Sequence, residues 1–140
     1  MVKTVLHIDD DHLFRKIVSG RLQKLGYTVY SALDGADGVA KAQELNPDLV
    51  LTDIDMPNMD GYAATAALRQ LRYAGIIIAL TGSERVRDVA NAVLAGCDDF
   101  ISKPLDDGFE AQFTTVIQRH TERRAANDDD DPLEDNLFED

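Results

Sequence analysis

Five residues of this chain have the types and the placement to do chemistry together. Asp9 and Asp10 follow the apolar run Thr4–Ile8, and Asp53 ends the run that begins at Leu49. Thr81 follows Ile76–Leu80, and Lys103-Pro104 follows Asp99–Ser102. Singly, an Asp after an apolar run is most often a helix N-cap, and Asp11 reads as one. Jointly, three carboxylates brought to one place repel one another and raise each other's pKa unless a cation offsets them. Oxygen ligands without His or Cys suit Mg²⁺, which takes one or two carboxylates and completes its shell with water and phosphate oxygens. The ammonium of Lys103 and the hydroxyl of Thr81 would converge on the same edge.

Those residues converge only if the elements carrying them lie side by side. Short apolar runs at Thr4–Ile8, Thr28–Ala32, Leu49–Thr52, Ile76–Leu80 and Asp99–Ser102 alternate with stretches of helical period. The helical stretches are His12–Leu25, Gly35–Leu45, Gly61–Leu71, Arg85–Leu94 and Phe109–Arg124. Ile76 to Leu80 is apolar on both faces and rich in β-branched residues, as a central parallel strand is. In the first helix Leu13, Ile17, Val18, Leu22 and Leu25 have a 3-4 spacing that predicts one buried stripe. Gly26, Asn46-Pro47, Gly75 and Gly96 follow four of the helices as stop signals. Five strands alternating with five helices predict an α/β fold, a doubly wound five-stranded parallel sheet covered on both faces. Ligands bind such a sheet at the carboxyl ends of its strands, where all five residues fall. Only the second strand contributes nothing chemical there.

Composition narrows the field further. The chain has 140 residues, 14 Lys+Arg against 26 Asp+Glu, a net charge of −12 and a single cysteine. That length fits one domain, and 44% hydrophobic residues suffice for a core. The apolar run Ala74–Leu80 falls far short of the roughly 20 residues of a membrane helix, and no secretion signal opens the chain. A cytoplasmic location is expected. Residues 128–140 hold eight acids and no base, leaving 18 acids against 14 bases in the rest. Neither part has a basic stripe, which argues against direct binding to nucleic acid. The pattern divides the chain into a folded domain, 1–124, and an acidic tail, 125–140, expected to be disordered. Cys97 reads as a small buried hydrophobe. His7, His12 and His120 are scattered and supply neither phosphodonor nor metal ligand.

Together, Asp9-Asp10, the stretch Asp53-Ile54-Asp55-Met56-Pro57-Asn58-Met59-Asp60-Gly61, Thr81 and Lys103-Pro104 resemble a response-regulator receiver domain of the CheY-like superfamily. The resemblance covers about residues 3–123, with the motifs in order and spacing. It implies a flavodoxin-like sheet of strand order 2-1-3-4-5, which sets the first and third strands side by side. It further implies that Asp53 is the phosphoacceptor, attacking a phosphoryl group donated by a histidine kinase or histidine phosphotransfer protein. Asp10, assisted by Asp9, would hold Mg²⁺ with Asp53 and the backbone carbonyl of Asp55. Lys103 would pair with the phosphoryl oxygens, and Thr81 would hydrogen-bond the attached group. Pro104 matches a position where the family uses a cis peptide, and Phe100 the family's aromatic switch. Asp55 and Ser83 stand where the dephosphorylation rate is tuned. An acidic Asp55 either orients a water there or repels the anion and its donor. Gly82 departs from the usual Ala and should loosen its loop.

With no second domain in the sequence, the expectation is a stand-alone regulator that acts through protein contact or as a phosphate shuttle. Its output surface would be the fourth helix, fifth strand and fifth helix. Leu133, Leu137 and Phe138 lie among the acids of the tail, which reads as solvated unless it folds onto a partner. Two rival classes fit less well. An aspartyl-phosphate phosphatase would place its nucleophile after the first strand and needs a cap insertion, whereas Asp53 follows the third. A binding module with inert acids would not retain phosphate from acetyl phosphate.

Overall fold

The computed structural model describes residues 1–82, 86–103 and 105–139, without the side chains of 86–89 and 126–139. Five strands, β1 (Thr4–Ile8), β2 (Thr28–Ala32), β3 (Leu49–Asp53), β4 (Ile76–Thr81) and β5 (Asp99–Ser102), alternate with five helices. The helices are α1 (His12–Lys24), α2 (Gly35–Leu45), α3 (Gly61–Gln70), α4 (Val86–Ala95) and α5 (Phe109–Glu139). The strands form one parallel sheet in the order β2-β1-β3-β4-β5. Expected element ends fall within one or two residues of these, except at the end of α5.

Alternation along the strands divides the core in two. Val5, Leu49, Leu51, Ile78, Leu80 and Ile101 face α1 and α5, where Val18, Leu22, Phe109 and Phe113 meet them. Leu6, Ile8, Val50, Ile77 and Ala79 face the other way, against Ala42, Leu68 and Ala92 of α2, α3 and α4. Strands buried on both faces explain why β3 and β4 are continuous apolar runs.

Asp residues start three of the helices. Asp11, Asp34 and Asp60 accept hydrogen bonds from the N–H groups of Phe14, Asp37 and Ala63, the third residue of each first turn. Gly61 closes α3 against the sheet, donating to the Ile54 carbonyl at 2.9 Å. A Cβ on Gly61 would collide with the Asp53 carbonyl oxygen, so the end of β3 requires glycine there.

Two expectations need correcting. The buried line of α1 is narrower than the spacing of its apolar residues suggests. Val18 and Leu22 are buried and Phe14 packs beside them, whereas Leu13, Ile17 and Leu25 are 66%, 45% and 44% exposed. Positions 14, 18 and 22 repeat every four residues and face the sheet, and 13 and 17 lie a helical step of about 100° away. The second difference is at the C-terminus. The backbone of α5 continues as helix to Glu139, beyond the helix end expected at Arg124 and into residues 125–139. Alanines at 125 and 126, strong helix formers, connect that segment to the packed part of α5. Among the described residues, no helix is long and apolar enough to cross a membrane.

Candidate functional site

β1 and β3 are neighbours, so their carboxyl ends bring Asp9, Asp10 and Asp53 together. One carboxylate oxygen from each lies within 4.8 Å of the others, and this is the one such group among the described residues. Asp9 and Asp53 are buried and Asp10 is exposed, so the cluster opens to solvent on one side.

The two buried carboxylates are oriented by backbone N–H groups at their strand ends. The Ile54 N–H donates to Asp53 Oδ1 at 2.9 Å, and the Asp11 N–H donates to Asp9 Oδ1 at 2.9 Å. The Arg15 guanidinium donates to the Asp9 carbonyl at 2.7 Å, pinning the turn between β1 and α1. Lys103 arrives from the end of β5, where its N–H donates to the Thr81 carbonyl at 2.8 Å. Its Nζ lies 2.9 Å from Asp53 Oδ1 and 3.5 Å from Asp9 Oδ2. The ammonium is therefore committed to Asp53, with Asp9 at the outer limit of an ion pair. The Phe14 ring covers it, with Nζ 4.5 Å from the ring centroid.

Burial pushes the carboxyl of Asp53 up from its ordinary value, and Asp9 adds to this while Lys103 opposes it. Burial likewise raises Asp9, against the Asp11 N–H and Lys103. One lysine does not neutralise three crowded acids. The donor set, all oxygen and short of positive charge, fits a divalent cation such as Mg²⁺.

Thr81 is buried at the end of β4, one residue beyond Leu80, the register partner of Asp53. Phe100 sits on β5 opposite Ala79, half-buried against the cluster of the α2, α3 and α4 face. Asp55 is exposed, two residues beyond Asp53. Ser83 and Pro104 lie outside the described residues, so the rate-tuning position and the cis peptide are expectations only. Three contributors are invisible in the motif. Phe14 covers the lysine, Arg15 anchors the turn, and His7 lies buried beneath Asp9 with Nε2 3.6 Å from Asp9 Oδ2. Phe14 had a signal in its position three residues after the Asp11 cap, in line with Val18 and Leu22. His7 had one too, as the single polar residue between Val5 and Ile8.

Comparison with known proteins agrees with this geometry. Residues 5–110 match the response regulator receiver domain family. The DNA-binding dual master transcriptional regulator RpaA of Synechocystis sp. is 35% identical over 121 residues, 85% of this chain and 50% of that protein. The chain thus spans half the length of that relative. The chemotaxis protein CheY4 of Vibrio cholerae superposes with a TM-score of 0.77 at 29% identity, covering 84% of this chain and 98% of that one. The response regulator TrrA of Thermotoga maritima, in complex with Mg²⁺-BeF, gives 0.72 at 27%, covering 81% of this chain and 98% of that one.

Proposed function

The chain belongs to the response regulator receiver domain family of two-component systems, and we propose that it accepts a phosphoryl group on Asp53. The donor is a phosphohistidine of a histidine kinase or histidine phosphotransfer protein. The observation that carries this reading is the short Lys103–Asp53 pair inside a cluster of three carboxylates.

In the proposed step an Asp53 oxygen forms a bond to phosphorus. The phosphorus–nitrogen bond to the donor imidazole breaks, and that nitrogen keeps the electron pair. Oδ1 is held by the Ile54 N–H and Lys103, which leaves Oδ2 as the attacking atom. Receiver domains bind Mg²⁺ at an acidic pocket, and Asp9, Asp10 and Asp53 form one here. The Asp55 backbone carbonyl is proposed as a further ligand. When bound, the cation offsets the clustered charge and draws electron density from the phosphoryl oxygens. Lys103 moves from Asp53 to those oxygens as a point charge, and the Thr81 hydroxyl gains one of them as a partner. Receiver domains are regulatory phosphoacceptors. This one is proposed to assist its own phosphorylation and, with Asp55 and Ser83 tuning the rate, its own dephosphorylation.

Output is proposed to pass by phosphorylation-dependent protein contact at α4, β5 and α5, or by onward transfer of the phosphate. The test is incubation with acetyl phosphate and Mg²⁺ followed by intact-mass measurement. One phosphoryl group should be gained by the parent and none by Asp53→Asn. Full phosphate on Asp53→Asn would place the acceptor elsewhere.

A further inference from the structure

His7 sits in the middle of β1, fully buried, on the face that carries Val5 and Asp9. The residues around it on β1 are Val5, Leu6 and Ile8, and an apolar side chain would pack there without any polar demand. Instead, both ring nitrogens of His7 and Oδ2 of Asp9 are buried and unmatched by a hydrogen-bond partner. Buried polar atoms are seldom left so, and here an imidazole nitrogen and a carboxylate oxygen stand 3.6 Å apart. The Phe14 ring stands tilted at 59° to the imidazole with centroids 6.0 Å apart, and the same ring carries the Lys103 ammonium. The His7 side chain is thus enclosed behind the same aromatic that covers the site.

Asp9 is held on one side only. Its Oδ1 accepts the Asp11 N–H at 2.9 Å, while its Oδ2 faces Lys103 at 3.5 Å and His7 at 3.6 Å. We propose that His7 is a positioning residue for the metal site, donating from Nε2–H to Asp9 Oδ2 and turning that carboxylate toward a cation shared with Asp10 and Asp53. The inference rests on the Mg²⁺ reading above. Neutral imidazole has one N–H and one bare nitrogen, so the proton sits on Nε2 and Nδ1 keeps its lone pair. Closing the gap to an ordinary length of about 2.9 Å requires a shift of well under 1 Å. With both oxygens then fixed, the carboxylate presents its remaining lone pairs in one direction. Outer partners of this kind orient metal ligands, and their loss typically weakens metal binding.

The test compares the full chain with His7→Leu and His7→Gln by calorimetric titration with MgCl₂, and follows His7 by imidazole ¹⁵N NMR. His7→Leu keeps an apolar filler in the strand and should bind Mg²⁺ about 10-fold more weakly. His7→Gln restores an N–H near the Nε2 position and should recover most of the affinity. The parent should show the Nε2–H tautomer in the Mg²⁺-loaded state. A purely structural imidazole would change thermal stability and leave Mg²⁺ affinity alone. Equal affinity in parent and His7→Leu would overturn the inference and leave the metal site standing. If His7→Leu does not fold, an Nδ1–H tautomer in the loaded parent would overturn it as well. A parent that binds no Mg²⁺ would remove both the inference and the metal reading beneath it.

Discussion

Asp9 and Asp53 hold their protons more strongly in the folded chain than an exposed Asp does, because burial disfavours their charge. The sign of the linkage follows. The native state binds more protons than the unfolded state in the window above the ordinary Asp pKa, so stability falls as pH rises through it. At neutral pH without metal the crowded acids therefore destabilise the fold. Asp9→Asn keeps an oxygen for the Asp11 N–H and removes one charge. It should raise the thermal midpoint at neutral pH, flatten its fall as pH rises above the ordinary Asp range, and reduce the stabilisation that added Mg²⁺ gives. An unchanged midpoint with a full Mg²⁺ response would mean that Asp9 carries no such strain. At this scale the grouping was legible in the sequence, since Asp9, Asp10, Asp53 and Lys103, picked out by type and spacing, do come together in space. What orients them was not. Phe14 over Lys103 and His7 under Asp9 are contacts between α1, β1 and β5, and one-dimensional spacing carries no record of which helix residue lies over which strand end.

The strands were legible because burial on both faces leaves a continuous apolar signature, clearest in Ile76 to Leu80. Helix α1 was less so. It covers the sheet with the face of Phe14, Val18 and Leu22 and leaves Leu13 and Ile17 in solvent, although all five are apolar. The contact that positions Asp53, the proposed acceptor, belongs to this scale too. Gly61 lets the first turn of α3 close on the end of β3, with the Asp53 carbonyl oxygen where a Cβ would sit. Gly61→Ala must push α3 away from that oxygen, a form of overpacking that costs about 1–3 kcal/mol. Chemical denaturation should show that loss. Phosphorylation by acetyl phosphate should slow, because the displaced carbonyl belongs to the acceptor residue itself. Parent-like stability and rate in Gly61→Ala would show that the end of β3 has slack.

Across the whole molecule, the proposed phosphorylation of Asp53 would have to reach a surface that another protein reads. No candidate site residue lies beyond Pro104, so deleting residues 126–140 should leave the thermal midpoint and acetyl phosphate labelling close to the parent's. Loss of labelling on truncation would tie the acidic segment to the site. The proposed output route runs the other way, through Thr81 and β5. Lys103 and Thr81 are joined by a backbone hydrogen bond of 2.8 Å, so the ends of β4 and β5 move together. Phe100 borders a cavity of about 210 Å³ between α4, β5 and α5, lined also by Val93, Cys97 and His120. Beside it, Asp99 accepts the Phe100 N–H at 2.8 Å and both Arg119 and His120 at 3.0 Å, fastening β5 to α5. A displaced Phe100 would therefore carry α5 with it. The Thr81 hydroxyl should gain a phosphoryl oxygen only in the phosphorylated state, and a contact made in one state alone is what shifts an equilibrium. One such hydrogen bond is worth about 0.5–3 kcal/mol, a few-fold to more than a hundredfold in population. Thr81→Ala should still take up phosphate, since Asp53, the metal and Lys103 supply the main charge interactions. Its phosphorylation-dependent chemical shifts at Phe100, His120 and Arg119 should shrink by that population factor. If they persist at full size in Thr81→Ala, the coupling runs through Lys103 and the strand backbone instead, and the hydroxyl is a bystander.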